Sequence, residues 1–308
     1  MKELALNSNE KTTQKQYMNL AKVNRRMTAR LLINNVVKYL FFASTMFGLV
    51  ILAFLMYQIF SDGLGWLSMD FLTNRLSTLP ERAGIIGAIT GTVWLMFIVG
   101  PVTMVLGIGT AIYLEEYAKK GKFHSFIQTN ITNLAGVPSI VFGLLGLTIF
   151  VRMFGFGPSI IAGGLTMALL VLPIVVVASQ EAIRAVPSYL REASYGMGAT
   201  KWQTIKNIVL PASIAGILTG VILALSRAIG ETAPLVAIGI PALIVPIPSS
   251  ITDNFTVLPM QIYYWTIDSV LVDEYASMAA ATIIVLLAVL FLMNSVAIII
   301  RNKFQKRY

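Results

Sequence analysis

Hydrophobic residues in this chain fall into long unbroken blocks, and polar residues into the stretches between them. A helix needs about 20 mostly apolar residues to cross roughly 30 Å of hydrocarbon. Blocks at residues 36–60, 85–113, 131–151, 159–178 and 279–300 meet that need, and another opens at Pro211. The pattern predicts an all-α, polytopic membrane protein with six transmembrane helices and both termini on one side. The block from Pro211 to Val245 is too long for one crossing, and Gly230, Pro234, Gly239 and Pro241 punctuate it. It predicts a crossing to about Gly230 and then a broken or re-entrant segment, which is tolerated at depth only where it is buried in protein or lines a cavity.

The second half of the chain has one long polar island, residues 191–211, REASYGMGATKWQTIKNIVLP. Pro187 and Pro211 bracket it, and each disfavours helix at the residue before it. Good helix formers come first, then Gly196 and Gly198, then Trp202, Ile205, Ile208 and Val209 at helical spacing with polar residues between. The island therefore predicts two short helices joined by a Gly turn on the water side of the membrane.

Charge orients the spans. Lys11, Lys15, Lys22, Arg25, Arg26, Arg30 and Lys38 lead into the first span. Lys119, Lys120, Lys122, Arg184, Arg191, Lys201, Lys206, Arg301, Lys303, Lys306 and Arg307 follow in the loops that share its side. The long segment before the last span carries Asp253, Asp268, Asp273 and Glu274 and neither Lys nor Arg. Basic loops stay inside, so the termini and the island are expected in the cytoplasm of a plasma-membrane protein. The basic N-terminal run reads as a tail that obeys this rule and lies on anionic lipid, not as a nucleic-acid site. No cleavable signal peptide is expected at the polar N-terminus.

Composition agrees with the spans: of 308 residues, 56% are hydrophobic and 12% charged, and the mean hydropathy is +0.77. A soluble domain of this size does not hide so much apolar surface. The chain has no cysteine and one histidine, His124, which reads as a solvated loop residue. Disulfides, thiolate metal sites and a cysteine nucleophile are excluded, and no catalytic residue, metal or cofactor is expected. No HExxH, GxSxG or GxxxxGK[ST] pattern is present, so any ATP is handled by another chain.

Two glycine pairs, Gly87/Gly91 and Gly216/Gly220, have the GxxxG spacing that lets helices approach closely in lipid; packing, not substrate contact, is the expected role of each. Residues 136–143, GVPSIVFG, open the third block with helix breakers. Arg227 and Glu231 stand four apart in the fifth block, one face of a helix, in SRAIGETAP. Counted from Pro211, Arg227 lies about 24 Å along that helix, in or near the outer half of the hydrocarbon. A charge there costs several kcal/mol and is expected to face the bundle interior. Two readings stay open: a salt bridge that pins helices, or a pathway site whose planar guanidinium meets an oxyanion while Glu231 limits how tightly it holds.

The island resembles the EAA loop of ABC-importer permeases: Glu192, Ala193, Gly198, Ile208, Leu210 and Pro211 stand at the family's spacing, with Ser194 where the second Ala is usual. SRAIGETAP, residues 226–234, is similar to the signature of the phosphate-importer permeases. GVPSIVFGLLG, the 107–118 run GIGTAIYLEEYA, and the 257–265 run VLPMQIYYW are similar to further motifs of that family, the last matching its A-type subunit. The resemblance spans about residues 84–307. It implies the type I ABC-importer permease fold, with a tail at 1–35, a first span and external loop at 36–82, and a permease core at 83–308 whose coupling loop is 181–211. It implies that the loop docks on a cytoplasmic ATPase, with Gly198 in a turn that a side chain would obstruct and Glu192 capping or buttressing the docking helix. Arg227, Glu231 and Thr232 become candidate pathway residues. The partners implied are a C-type permease subunit in a heterodimer, an ATPase dimer, an external phosphate-binding protein and membrane lipid.

Phosphate rests on that resemblance alone, because Arg and Glu do not by themselves choose among phosphate, sulfate and molybdate. A secondary transporter needs coupling-ion groups near the midplane and usually internal repeats, and the sequence shows neither.

Overall fold

The computed structural model describes residues 20–241 and 247–304. Lys11, Lys15, Val245, Lys306 and Arg307 lie outside the described residues, as does the middle of the expected broken segment. The chain divides into two units at Gln58/Ile59. Helix α1, Leu20–Gly63, makes up nearly all that is described of the first. It begins well before the apolar block at residue 36 and shows no amphipathic face.

In the second unit a short helix α2 (Met69–Thr73) precedes α3 (Ile86–Ile112), which ends in a π-helical turn, Tyr113–Tyr117. Next come α4 (Lys122–Leu134) and α5 (Ser139–Gly146), the latter extended by π-helical Leu147–Met153. Helix α6 (Ile160–Arg184) leads into the island helix α7 (Ser188–Gly196). Helix α8 (Lys201–Thr204), the π-helical stretch Ile205–Val209 and α9 (Leu210–Ile229) follow without a break. The short α10 (Ala233–Ile238), then α11 (Leu258–Asp268) and α12 (Glu274–Phe304) complete the unit.

Among the described residues, five helical segments are long and apolar enough to cross a membrane: Arg30–Trp66, Ile86–Tyr117, Ile160–Arg184, Lys201–Ile229 and Glu274–Lys303. A sixth crossing needs α4 and α5 with its extension, which meet at 101°. The expected third span at 131–151 is thus corrected. Pro138 and Gly136 end the helix, α4 is polar on one side and turns away, and only Ser139–Met153 runs with the apolar block. His124 sits on α4, not in a loop.

A second correction concerns Pro211, which does not start the fifth span. The helix runs through it from Lys201, and the Leu210 N–H bonds back to Ile205 O, five residues away. Widening the turn in this way moves the carbonyls that a proline ring would strike. The second of the two short helices expected in the island is therefore the first two turns of the fifth span. After it, α9 stops at Gly230 and the separate α10 follows, as the glycines and prolines suggested.

The core lies where α3, α6 and α9 meet: Leu95 and Val99, Met167, Val171 and Val175, and Ile217, Val221 and Ala224 are all buried. Small residues set the spacing. A Cβ on Gly216 would lie 2.9 Å from Ala182 Cβ, and one on Gly220 would strike Ala178. The Gly216/Gly220 pair thus packs on Ala178/Ala182 of α6, the close approach that the GxxxG spacing signals. Gly143 of α5 likewise admits α10, whose Pro234 Cα would be 2.8 Å from an added Cβ. A second cluster, Phe71, Ile85, Leu258, Trp265 and Met278, joins α2, α3, α11 and α12.

Candidate functional site

The island is built from the end of α6. Pro187 stops that helix from continuing and opens α7, which buries Ser194 and leaves Glu192 and Ala193 exposed. Beyond it the chain turns on Gly198, at φ +81°. The Ala199 N–H bonds to Ser194 O at 3.2 Å and the Gly198 N–H to Tyr195 O at 2.9 Å, the paired bonds of a Schellman ending. The turn expected at Gly198 is present, and it is left-handed. Its physical cause differs from the expectation: no atom lies within 4 Å of a Cβ placed there, so backbone conformation and not space demands glycine.

Thr200 then caps the fifth span. Its hydroxyl accepts from the Gln203 N–H at 3.4 Å, while Gln203 Oε1 accepts from the Thr200 N–H at 2.8 Å. Ile205 and Val209 are buried, Ile208, Leu210 and Pro211 half-buried, and Trp202 is exposed. Trp202, at helical spacing with Ile205 and Val209, is not buried with them. The hydroxyl that replaces the family's second Ala has a partner: Ser194 Oγ is 2.9 Å from Thr204 Oγ1, which itself donates to Thr200 O at 3.1 Å.

The expected buttress is not Glu192, which makes no ion pair or hydrogen bond among the described residues. Arg191 does that job. Its Nε and Nη2 donate to Glu116 Oε1 at 3.1 and 3.0 Å, Nη2 also to Ile183 O at 2.9 Å, and Nη1 to Val186 O at 2.7 Å. Beside it, Arg184 Nη2 meets Glu115 Oε1 at 2.6 Å and Nη1 meets Glu181 Oε1 at 2.9 Å. Glu115 and Glu116 both stand on the π-helical turn that ends α3. Sequence reading passed over these two carboxylates; two adjacent acids among the lysines of an otherwise basic side were the available signal. Tyr189, Tyr195, Met197 and Trp202 remain exposed around the island, an apolar surface with no cover among the described residues.

At the far end of the same span, about 39 Å along the helix from Lys201, stands Arg227 in the last turn of α9. Its Nε is 3.6 Å from Glu231 Oε1, near enough for Coulomb attraction and too far for a hydrogen bond. The i, i+4 relation is as expected, but the orientation is not. The Arg227 side chain is 61% exposed and Glu231 19%, because Val221, Ala224 and Ala228 occupy the face of α9 turned into the chain's own core. Arg227 points outward. The C-terminal carbonyls of α9 and Glu231 offset part of the cost of a cation there. Thr232 follows at the start of α10, half-buried and making no side-chain cap. Next to the pair, Ser226 Oγ donates to Ile222 O and lies 2.5 Å from the side-chain amide of Asn294 on α12.

Residues 103–305 match the family model described as the binding-protein-dependent transport system inner membrane component. The probable ABC transporter permease YqgI of Bacillus subtilis is 36% identical over 219 residues, 69% of this chain and 71% of its own length. The phosphate transport system permease PstA of Mycobacterium leprae is 37% identical over 266 residues, 83% of this chain and 85% of its own. Among solved structures, a chain of a bacterial alginate ABC transporter, in complex with a periplasmic protein carrying an alginate pentasaccharide, superposes with TM-score 0.62 at 17% identity, covering 88% of this chain and 95% of that one. A chain of the inward-facing methionine ABC transporter MetNI gives TM-score 0.60 at 17% identity, covering 72% and 96%. The likeness to both solved chains is one of fold.

Proposed function

This chain belongs to the family of binding-protein-dependent transport system inner membrane components, and on that premise we propose that it is the A-type permease subunit of an ATP-driven phosphate importer. One observation carries the reading: a single helix, Lys201–Ile229, joins an exposed, glycine-turned docking loop at one end to an outward-pointing arginine at the other. The names of the relatives supply phosphate, and residues 226–234 match the run expected of phosphate permeases.

In this reading both termini and the island face the cytoplasm. Tyr189, Tyr195, Met197 and Trp202 enter a groove on one copy of an ATPase dimer, and ATP hydrolysis takes place on that partner. A C-type permease subunit covers the exposed side of α9, so that Arg227 faces the seam between two subunits where its own bundle leaves it bare. There its planar donors meet a phosphate oxyanion delivered by an external binding protein, in a setting of low dielectric that strengthens the contact. Glu231, on the same side, keeps the cation neutralised when the path is empty and weakens capture enough for release. Closure of the ATPases moves the island, and the continuous helix carries that movement to the Arg227 end.

The test is reconstitution of the chain with its neighbouring permease, ATPase and binding protein in ATP-loaded vesicles. Uptake of labelled inorganic phosphate that requires ATP and is not displaced by excess sulfate or molybdate supports the assignment. ATP-independent uptake, or preference for either competitor, overturns it.

A further inference from the structure

We infer that Arg191 and Glu116 are positioning residues that make the docking helix α7 travel with the cytoplasmic ends of α3 and α6. The inference rests on the reading of the island as the ATPase-docking loop and goes beyond it, because docking alone does not say which spans feel the push.

The connectivity frames the question. Helix α7 is joined by the chain to α6 before it and to the fifth span after it. No covalent path of fewer than about seventy residues leads from α7 to α3. One guanidinium closes that gap: Arg191 grips Glu116 of α3 with two donors and the Ile183 and Val186 carbonyls at the end of α6 with the others. All four contacts are 2.7–3.1 Å long. The Glu116 side chain is 8% exposed and that of Arg191 21%. Salt and water therefore screen the pair weakly, and the rigid fork holds direction as well as distance.

The neighbouring pair differs in kind. Arg184 is 43% exposed and shares its charge between Glu115, on the turn that ends α3, and Glu181 of its own helix, so it ties the end of α6 to α3 without reaching α7. On the other flank of α7, Ser194 and Thr204 tie it to the fifth span by one neutral hydrogen bond. The docking helix thus has a strong charged link to α3 and α6 and a weaker neutral one to the fifth span. A displacement of its exposed face is delivered to α3 through Arg191 and Glu116. Without that link α7 and the fifth span still move, but α3 feels the displacement only indirectly, through α6, and the pathway does not open fully.

The test uses the complete complex in vesicles and reads ATP hydrolysed per phosphate imported. Wild type is measured first, and absence of ATP-dependent phosphate uptake there sinks the functional reading before any variant is examined. Glu116→Gln is expected to keep the ATPase at wild-type stoichiometry and hydrolysis within twofold, while ATP used per phosphate rises about tenfold. Arg191→Lys keeps the charge but cannot span the carboxylate and both carbonyls, and an approximately threefold rise is expected. A purely structural pair predicts something else: uptake and hydrolysis fall together and the ratio holds. An unchanged ratio in Glu116→Gln overturns the inference. If that variant does not assemble, an unchanged ratio in assembled Arg191→Lys overturns it equally, and a raised ratio supports it.

Discussion

Ser194 and Thr204 meet at 2.9 Å across the turn made by Gly198, and both are buried. The bond closes a small hydroxyl chain, since Thr204 passes its own proton to Thr200 O. Ser194→Ala restores the family's usual residue and leaves Thr204 still satisfied, so its cost is that of one neutral bond, about 1 kcal/mol. Amide exchange at residues 199–204 is expected to quicken about fivefold while phosphate uptake stays within twofold. A change in exchange confined to α6 would show that the bond is not what holds the turn.

Gly198 separates strain from obstruction. With φ at +81° and open space around its Cβ, the cost of a side chain is conformational, roughly 1–2 kcal/mol for alanine. Asparagine visits that region more readily. ATPase retention is expected to fall in the order glycine, asparagine, alanine. If alanine and asparagine are equally harmful, the ATPase itself must fill the space, and strain is not the deciding term.

Arg227 is tested by uptake at saturating phosphate, after assembly has been checked. Arg227→Gln is expected to lower uptake at least tenfold, because a neutral amide does not draw an oxyanion through low dielectric. Arg227→Lys keeps the charge without the fork and should retain part of the activity. Glu231→Gln should slow turnover without changing capture by the binding protein. Normal transport by the doubly neutral Arg227→Gln/Glu231→Gln variant would make the pair a strut.

Gly220→Ala presses a methyl against Ala178, and overpacking of this kind costs about 1–3 kcal/mol. The yield of assembled complex is expected to drop severalfold, and Ala178→Gly in the same chain should recover it. No recovery would mean that the glycine serves something other than the α6–α9 contact.

Orientation is open to direct labelling because the chain contains no cysteine. A cysteine at Ser250 is expected to react with an impermeant reagent on intact cells, and one at Lys120 only after the cells are opened. The reverse pattern would invert the whole topology and remove the island from any cytoplasmic ATPase.

Much of this arrangement was legible from residue order. Span length, the i, i+4 pair and the Gly216/Gly220 spacing are local signals, and each is expressed locally. What escaped was long-range or collective. Arg191 and Glu116 are 75 residues apart, and nothing in either neighbourhood announces the other. The outward face of Arg227 follows from which side of α9 the neighbouring helices cover, which periodicity in so apolar a segment does not reveal. Pro211 misled because the rule that proline ends a helix assumes an α-turn, and the turn before it is wider.

That wider turn sets the phase of the fifth span. Its buried stripe runs Ile205, Val209, Ser213, Ile217, Val221, Ala224, Ala228, in steps of three or four residues along one face. The wide turn at Ile205–Val209 sets the angle at which that stripe leaves the island. Removing one residue there would rotate everything beyond it by about 100° relative to the island. The stripe would then lose register at one end or the other, and Arg227 would swing off its outward bearing with every side chain intact. The azimuth of the arginine is thus written some twenty residues away, in the pitch of a single turn.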